Sequence, residues 1–281
     1  MRVDMAQQTW FITGISSGFG RSLSELLLER GDRVAGTVRK HDAVTDLQER
    51  YPELLWLGVL DVTDVAAVHE VVDRAFAHWG RIDVVVNNAG YGLFGAVEEM
   101  TDAQIAAQIN TNLLGSIHVV KAALPHLRAQ GGGRILQLSS YGGQTTNPGA
   151  SLYHASKWGV EGFMESTAKD VAPLGISVTI VEPGGARTEF RTGSAQLAEN
   201  KLAVYDDSPA AMTRRINDPT LPPSPGDPVK IARAIIDSVG VDPAPLRLVL
   251  GSDAYSAMHQ GLTERLKALE AQRDQAGRTD A

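Results

Sequence analysis

Stretches rich in valine, isoleucine and leucine alternate along this chain with helix-patterned segments, and that alternation limits the fold more than any other feature. From Thr9 a short apolar strand runs to Thr13. After a glycine-rich turn comes a helix with Leu23, Leu26, Leu27 and Arg30 on amphipathic spacing, stopped by Gly31. Arg33 to Val38 reads as the next strand, Asp42 to Arg50 as a charged surface helix and Leu54 to Val59 as a third strand. Asp64 to His78 reads as a helix with Val65, Val68, Val71, Val72 and Phe76 inward. The series continues with Ile82 to Val86, a long helical region from Thr101 to Gln130, Arg134 to Leu138, a helix from about Tyr153 to Val171, and Ser177 to Val181. The strands lack strict polar alternation, as strands buried on both faces do. The expected fold is therefore α/β, a doubly wound parallel sheet of about seven strands with helices on both faces.

Composition sets the class. The chain has 281 residues, a net charge of -7 and no cysteine. Disulfides, thiolate zinc sites and cysteine nucleophiles are excluded, and no basic footprint for nucleic acid exists. Met1 to Gln8 carries Arg2 and Asp4 without a continuous apolar run, and no stretch approaches the roughly 20 apolar residues that span a bilayer. These features are expected of a cytosolic, soluble protein with no membrane partner. One domain over residues 1–281 is expected, broken by a proline-rich segment at about 188–228, which is long enough to be a lid. A helix from Val229 to Val239, a strand from Leu246 to Leu250 and a charged C-terminal helix and tail over about 253–281 follow, fraying at the end.

Thr13-Gly14-Ile15-Ser16-Ser17-Gly18-Phe19-Gly20 joins the first strand to the first helix. There, backbone N–H groups and the helix dipole can hold a pyrophosphate. The spacing is G-x-x-x-G-x-G, not the general G-x-G-x-x-G. An NAD site usually has a carboxylate at the end of the second strand; Thr37-Val38-Arg39-Lys40 stands there instead. A guanidinium suits the 2′-phosphate of NADP, and the competing reading is a solvated basic pair. NADP is thus expected, with NAD as the alternative. Further on, Tyr153 and Lys157 share one helix face one turn apart. Lowering a phenol from about 10 to about 7 takes roughly 4 kcal/mol, which a close cation in a dry site supplies.

Thr-Gly-x-x-x-Gly-x-Gly near the N-terminus, Asn87-Asn88-Ala89-Gly90 after the fourth strand, and Asn112, Ser140, Tyr153 and Lys157 in that order and spacing together resemble the short-chain dehydrogenase family, over about the first 190 residues. The resemblance implies a Rossmann-type fold and a nicotinamide cofactor. It implies Tyr153 as general acid or base, Ser140 hydrogen-bonding the substrate oxygen, Lys157 on the nicotinamide ribose, and Asn112 holding a water in a proton relay. Asp61, with Val62 beside it, matches the adenine-contacting position. Asn88, Ala89 and Gly90 match the segment beside the adenosine half, and Pro183, Gly184 and Thr188 the motif at the nicotinamide amide. In one departure, Ser17 stands where many NADP members carry a second basic residue.

Between adjacent candidates, Ser140 rather than Ser139 and Asn112 rather than Asn110 have the family spacing; Ser139, Asn110, His118 and His154 read as structural, and no metal site is expected. The Phe190 to Met212 segment, with Leu197, Leu202 and Tyr205, should close the substrate pocket. Its apolar residues either receive an apolar small molecule or pack the lid onto the body. The leading function is NADP(H)-dependent interconversion of a carbonyl and an alcohol. A non-catalytic NADP-binding regulator and an epimerase or lyase without net cofactor turnover compete with it. The resemblance also implies a homodimer or homotetramer through the two long helices.

Overall fold

A computed structural model describes residues 7–280; most of the polar N-terminal stretch read above, Met1 to Ala6, lies outside them. Seven strands form one parallel sheet: β1 Thr9–Ile12, β2 Arg33–Val38, β3 Leu55–Val59, β4 Val84–Asn87, β6 Gly133–Leu138, β7 Ile176–Pro183 and β9 Arg247–Leu250, in the order β3-β2-β1-β4-β6-β7-β9. Two further strands of three residues, β5 Gly92–Phe94 and β8 Ala195–Leu197, pair with each other outside it. The helices are α1 Gly18–Arg30, α2 Thr45–Arg50, α3 Val65–Trp79, α4 Asp102–Ile109, α5 Gly115–Ala129, α6 Ser151–Val171, α7 Pro228–Ser238, α8 Ser252–Glu270 and α9 Arg273–Gly277.

Alternate residues of each strand feed two cores. Phe11, Ala35, Val85, Ile135 and Val178 face α3, α5 and α6 through Val71, Phe76, Val120 and Met164. Trp10, Ile12, Val84, Val86 and Leu136 face α1 and α7 through Leu23, Leu27, Ile231 and Ile235. Each such fully buried side chain contributes roughly 1.5–3 kcal/mol, so both faces of the sheet are held. Asp64 caps α3 by accepting from Ala67 N at 3.0 Å, and Asp227 caps α7 by accepting from Val229 N at 2.9 Å.

Two expectations are corrected, and two segments gain detail. Val65, at the first turn of α3, is exposed, because the helix approaches the sheet only from Val68 onward. The long Thr101 to Gln130 region is helical but holds a π turn at Asn110–Leu114 between α4 and α5, a feature that often marks functional sites. The C-terminal helix continues into α9. The 188–228 segment, expected as a lid, carries a π turn at Phe190–Ser194, β8, and 3-10 turns at Ala203–Tyr205 and Pro209–Arg215. Among the described residues, no helix is long and apolar enough to cross a membrane.

Candidate active site

The strand order reverses between β1 and β4, and parallel sheets bind ligands at such a point, beyond the carboxyl ends of the strands. The glycine turn lies there. Gly14 (φ +73°) and Gly18 (φ +57°) adopt left-handed backbone that glycine alone takes without strain. Gly20 allows a close approach: a Cβ would stand 2.2 Å from Gly14 O. Asn88 ties the turn down, its Nδ2 donating to Thr13 O and Gly14 O at 2.9 Å. Thr13 Oγ1 accepts from Asn88 N and Ala89 N at 3.0 Å.

Not every amide of the turn is available to a ligand. Gly14 N and Ile15 N both donate to Thr37 O, at 3.1 and 3.0 Å, and the Ile15 side chain is wholly buried over Gly36. Ser17 precedes α1 without capping it. Consequently the amides of Gly18, Phe19 and Gly20 have no acceptor among the described residues, the arrangement a pyrophosphate satisfies. At the end of β2, Arg39 and Lys40 are exposed. Asp61 accepts from Thr63 N at 2.9 Å and Thr63 Oγ1 at 2.7 Å; these bonds, with a smaller contribution from Arg39, hold its carboxyl below the usual range. Val62 is buried against Gly115.

Three of the four tetrad residues converge from neighbouring elements. Ser140 ends the extended run of β6, is buried, and accepts from Gly142 N at 3.1 Å. Tyr153, in the first turn of α6, packs its ring 5.7 Å from Phe94 and 6.0 Å from Phe190. Lys157 follows one turn later, its Nζ 5.7 Å from the Tyr153 ring centroid and donating to Leu138 O at 2.8 Å. Burial pushes the Tyr153 phenol up to about 12 against the pull of the Ser140 hydroxyl. The direction is opposite to the lowered phenol expected from the spacing alone. The ammonium is itself desolvated, to about 8, and desolvation by the aromatic cage outweighs a cation beyond contact distance.

Asn112 stands on the π turn, buried. Its Oδ1 accepts from Tyr91 N at 3.0 Å, and its Nδ2 donates to Tyr91 O at 2.8 Å and Ser156 Oγ at 3.2 Å. Ser156 in turn donates to Tyr153 O at 2.7 Å. The asparagine thus reaches the Tyr153 turn through a hydrogen-bond chain, and a Cβ on Gly90 would lie 3.1 Å from its Oδ1. Asn110 is exposed. His154 is buried between Gly142 O (Nδ1, 2.7 Å) and Asn147 N (donating to Nε2, 2.9 Å), and burial lowers its pKa.

The loop after β7 lies across from the glycine turn, since a Cβ on Gly18 would come 4.0 Å from Thr188 Cβ. Beside Pro183, Gly184 N donates to Leu250 O at 2.8 Å and Gly185 N to Asp253 Oδ2 at 2.8 Å. Asp253 was read only as a helix start. Its carboxylate fills the space a Cβ on Gly184 would need, 2.2 Å away, and so shapes the loop. Beyond it Phe190, Ala195, Leu197 and Ile216 pack with Phe94, Ala150 and Tyr153. The segment is fastened by buried Glu99, which accepts from Leu202 N at 2.9 Å, from Ala96 N at 3.1 Å and from Arg214. Phe94, Glu99 and Arg214 carried no motif; their role depends on contacts across about a hundred residues of chain. Among the described residues, no group of three or more His, Asp or Glu could hold a metal ion.

Comparison with known proteins agrees with this geometry. The short chain dehydrogenase family pattern matches residues 8–198. Oxidoreductase BOA17 of Botryotinia fuckeliana is 40% identical over 250 residues, 87% of this chain and 89% of that protein. The crystal structure of a short-chain dehydrogenase from Streptomyces avermitilis superposes with a TM-score of 0.91 at 37% identity, covering 98% of this chain and 100% of that one. The NADP-bound structure of ElxO superposes with a TM-score of 0.72 at 27% identity, covering 89% and 99%. This chain belongs to the short-chain dehydrogenase family and is an enzyme of that family.

Proposed function

We propose that this enzyme interconverts a ketone or aldehyde and its alcohol with NADP(H), and that Tyr153 exchanges the proton at the substrate oxygen. One observation carries the reading. Ser140, Tyr153 and Lys157 meet at the carboxyl end of the sheet, the end that also carries the unsatisfied amides of the glycine turn, where a cofactor and a small molecule can lie together.

The residues present fit the cofactor. The amides of Gly18, Phe19 and Gly20, on the turn shaped by Thr13 to Ser17, would take the pyrophosphate. Arg39 and Lys40 would take a 2′-phosphate, and an NADP-bound relative at 27% identity supports that preference. Asp61, Val62, Asn88, Ala89 and Gly90 would border the adenosine half, and Pro183, Gly184 and Thr188 the nicotinamide amide. When bound, the cofactor supplies or accepts a hydride. The chain's own residues handle the oxygen: Ser140 and Tyr153 aim two hydroxyls at it and stabilise negative charge as it develops. Tyr153 is protonated at neutral pH because its phenol is pushed up to about 12, so it enters a reduction as the acid. The Lys157 ammonium holds the ribose side and the charge left on the phenol. Phe94, Phe190, Leu197 and Ile216 make the wall around Tyr153 apolar, which favours apolar carbonyl compounds.

The test is consumption of NADPH and NADH with a panel of aldehydes and ketones, with Tyr153→Phe as control. Turnover with NADPH that drops about 10²- to 10⁴-fold in the variant is expected, the worth of a general acid. Equal rates in the two proteins refute the assignment.

A further inference from the structure

Four residues beyond Lys157, α6 carries a group that the chemistry above does not use. Glu161 is buried, and so is Glu182, at the end of β7 immediately before Pro183. Glu161 Oε2 accepts from Gln144 Nε2 at 3.2 Å and from Arg247 Nε at 3.2 Å. Arg247 Nε also lies 3.4 Å from Glu182 Oε1 without hydrogen-bond geometry, while its Nη2 donates to Glu165 at 2.7 Å. Glu161 Oε1, both Glu182 oxygens and Ser139 Oγ have no hydrogen-bond partner among the described residues. Gly143 seals the enclosure, since a Cβ there would stand 2.7 Å from Ser139 Oγ and 2.8 Å from Glu161 Cγ.

One guanidinium shared by three carboxylates does not neutralise two buried, adjacent ones, and such pairs keep a proton. The hydrogen-bond pattern says where. Glu161 already has two donors on one oxygen, whereas Glu182 has none, so a proton on Glu182 given to the orphan Glu161 Oε1 satisfies both residues at once. Burial and the neighbouring charge of Glu161 raise the Glu182 pKa, outweighing the Gln144 amide and the Arg247 guanidinium, which lower it. The same charge opposes the desolvation of Lys157. The other groups around the pair are accounted for. Lys169 lies 3.8 Å from Glu165, and Arg265 of α8 donates to the Gln144 and Gly261 backbone carbonyls and lies over the Trp158 ring. Tyr153 and Tyr141 lie toward Ser140 and Asn147.

We propose that Glu161 and Glu182 share one proton, carried by Glu182, and that Glu161 serves as the positioning residue for the Lys157 ammonium one helical turn away on α6. The charge assignment stands on the buried cluster alone; its catalytic meaning rests on the hydride-transfer reading above.

The test follows the side-chain ammonium signals of ¹⁵N-lysine-labelled full-length protein by NMR against pH, with Lys157→Arg identifying the Lys157 resonance. Glu161→Gln is expected to move the Lys157 midpoint down by about one pH unit, the size of a lost neighbouring opposite charge. Glu161→Asp should restore most of that shift, and Glu182→Gln, which mimics the protonated acid, should leave the midpoint near its wild-type value. An unmoved midpoint in Glu161→Gln, or an equal shift in Glu182→Gln, overturns the proposal. If Glu161→Gln does not fold, infrared difference spectra of wild type against Glu182→Gln decide: loss of a protonated-carboxyl band at neutral pH supports the shared proton, and its absence from the wild type refutes it. Neither measurement needs turnover, so an enzyme inactive on every carbonyl overturns the reductase reading alone. In an active enzyme the alkaline limb of kcat should move with the Lys157 midpoint.

Discussion

Glu99→Gln tests what holds the 195–218 segment over Tyr153. The native carboxylate is 2% exposed and takes Leu202 N at 2.9 Å, Ala96 N at 3.1 Å and the Arg214 guanidinium. Removing one partner of a fully buried pair costs about 3–5 kcal/mol. Arg214 keeps Asp206 and the Leu202 carbonyl as partners and is partly exposed, which reduces the loss to about 2–3 kcal/mol. At tenfold per 1.4 kcal/mol, opening of the segment should become about 30- to 140-fold more frequent. Trypsin reads this directly, because Lys201, Arg214 and Arg215 all lie in the segment. Their cleavage should accelerate by that factor while the melting temperature changes little, since the opening is local. The carbonyl KM should rise and the NADPH KM should not. Acid should act like the mutation. Burial pushes the Glu99 carboxyl up, but Leu202 N–H, Arg214 and Ala96 N–H together hold it below its ordinary 4.5. A depressed carboxyl stabilises above its unfolded pKa and loses that contribution as pH falls through the folded value, so cleavage of the wild-type segment by an acid-active protease should quicken below about pH 4.5. Tryptic rates within about twofold of wild type would mean that the latch is not what closes the segment.

Arg39→Asp should lower kcat/KM for NADPH about 10- to 100-fold, the worth of a charge-assisted hydrogen-bonded contact, and raise it for NADH; steady-state kinetics with both cofactors check this, and an unchanged ratio refutes the 2′-phosphate assignment. Gly20→Ala drives a Cβ to 2.2 Å from Gly14 O and should cost about 1–3 kcal/mol of overpacking, read as a lower melting temperature and weaker NADPH binding by fluorescence. Between α5 and α6 runs an apolar groove of about 370 Å³ that includes Ile117, Val120, Leu124 and Phe163; we expect a second copy of the chain to cover it, so Phe163→Glu should reduce the mass seen by light scattering. With the Tyr153 phenol pushed up to about 12, the phenol itself should stay protonated between neutral pH and pH 10, so an alkaline loss of carbonyl reduction should follow Lys157, whereas alcohol oxidation should gain rate as pH rises; pH profiles in both directions check it, and identical profiles refute it.

The parallel sheet was legible because strands buried on both faces must be apolar throughout. Arg33–Val38 has the same ends in sequence and structure, and the others shift by one or two residues at their ends. β5 and β8 were not legible. Three residues are too few to show a period, and each strand has meaning only through a partner about a hundred residues away. The same reason hid the Glu99–Arg214 latch, whose two residues lie 115 positions apart in the chain. Asp253 was equally silent, since a carboxylate opening a helix is ordinary and only the folded chain brings it to Gly184.

The site separates what spacing reveals from what it hides. Tyr153 and Lys157 had to share a helix face, and they do. Spacing gives proximity, however, and a pKa also depends on solvent. Phe94 and Phe190 arrive from β5 and the π turn, and by drying the phenol they reverse the expected direction of its shift. Lys157 is dried with it, to about 8, so its charge in the site depends on what the rest of the helix provides. That dependence gives the buried carboxylate one turn further along α6 a physical reason to be there. A site of this kind is built in two layers: a motif that sets which groups meet, and a surrounding shell, unmarked in sequence, that sets which of them hold a proton.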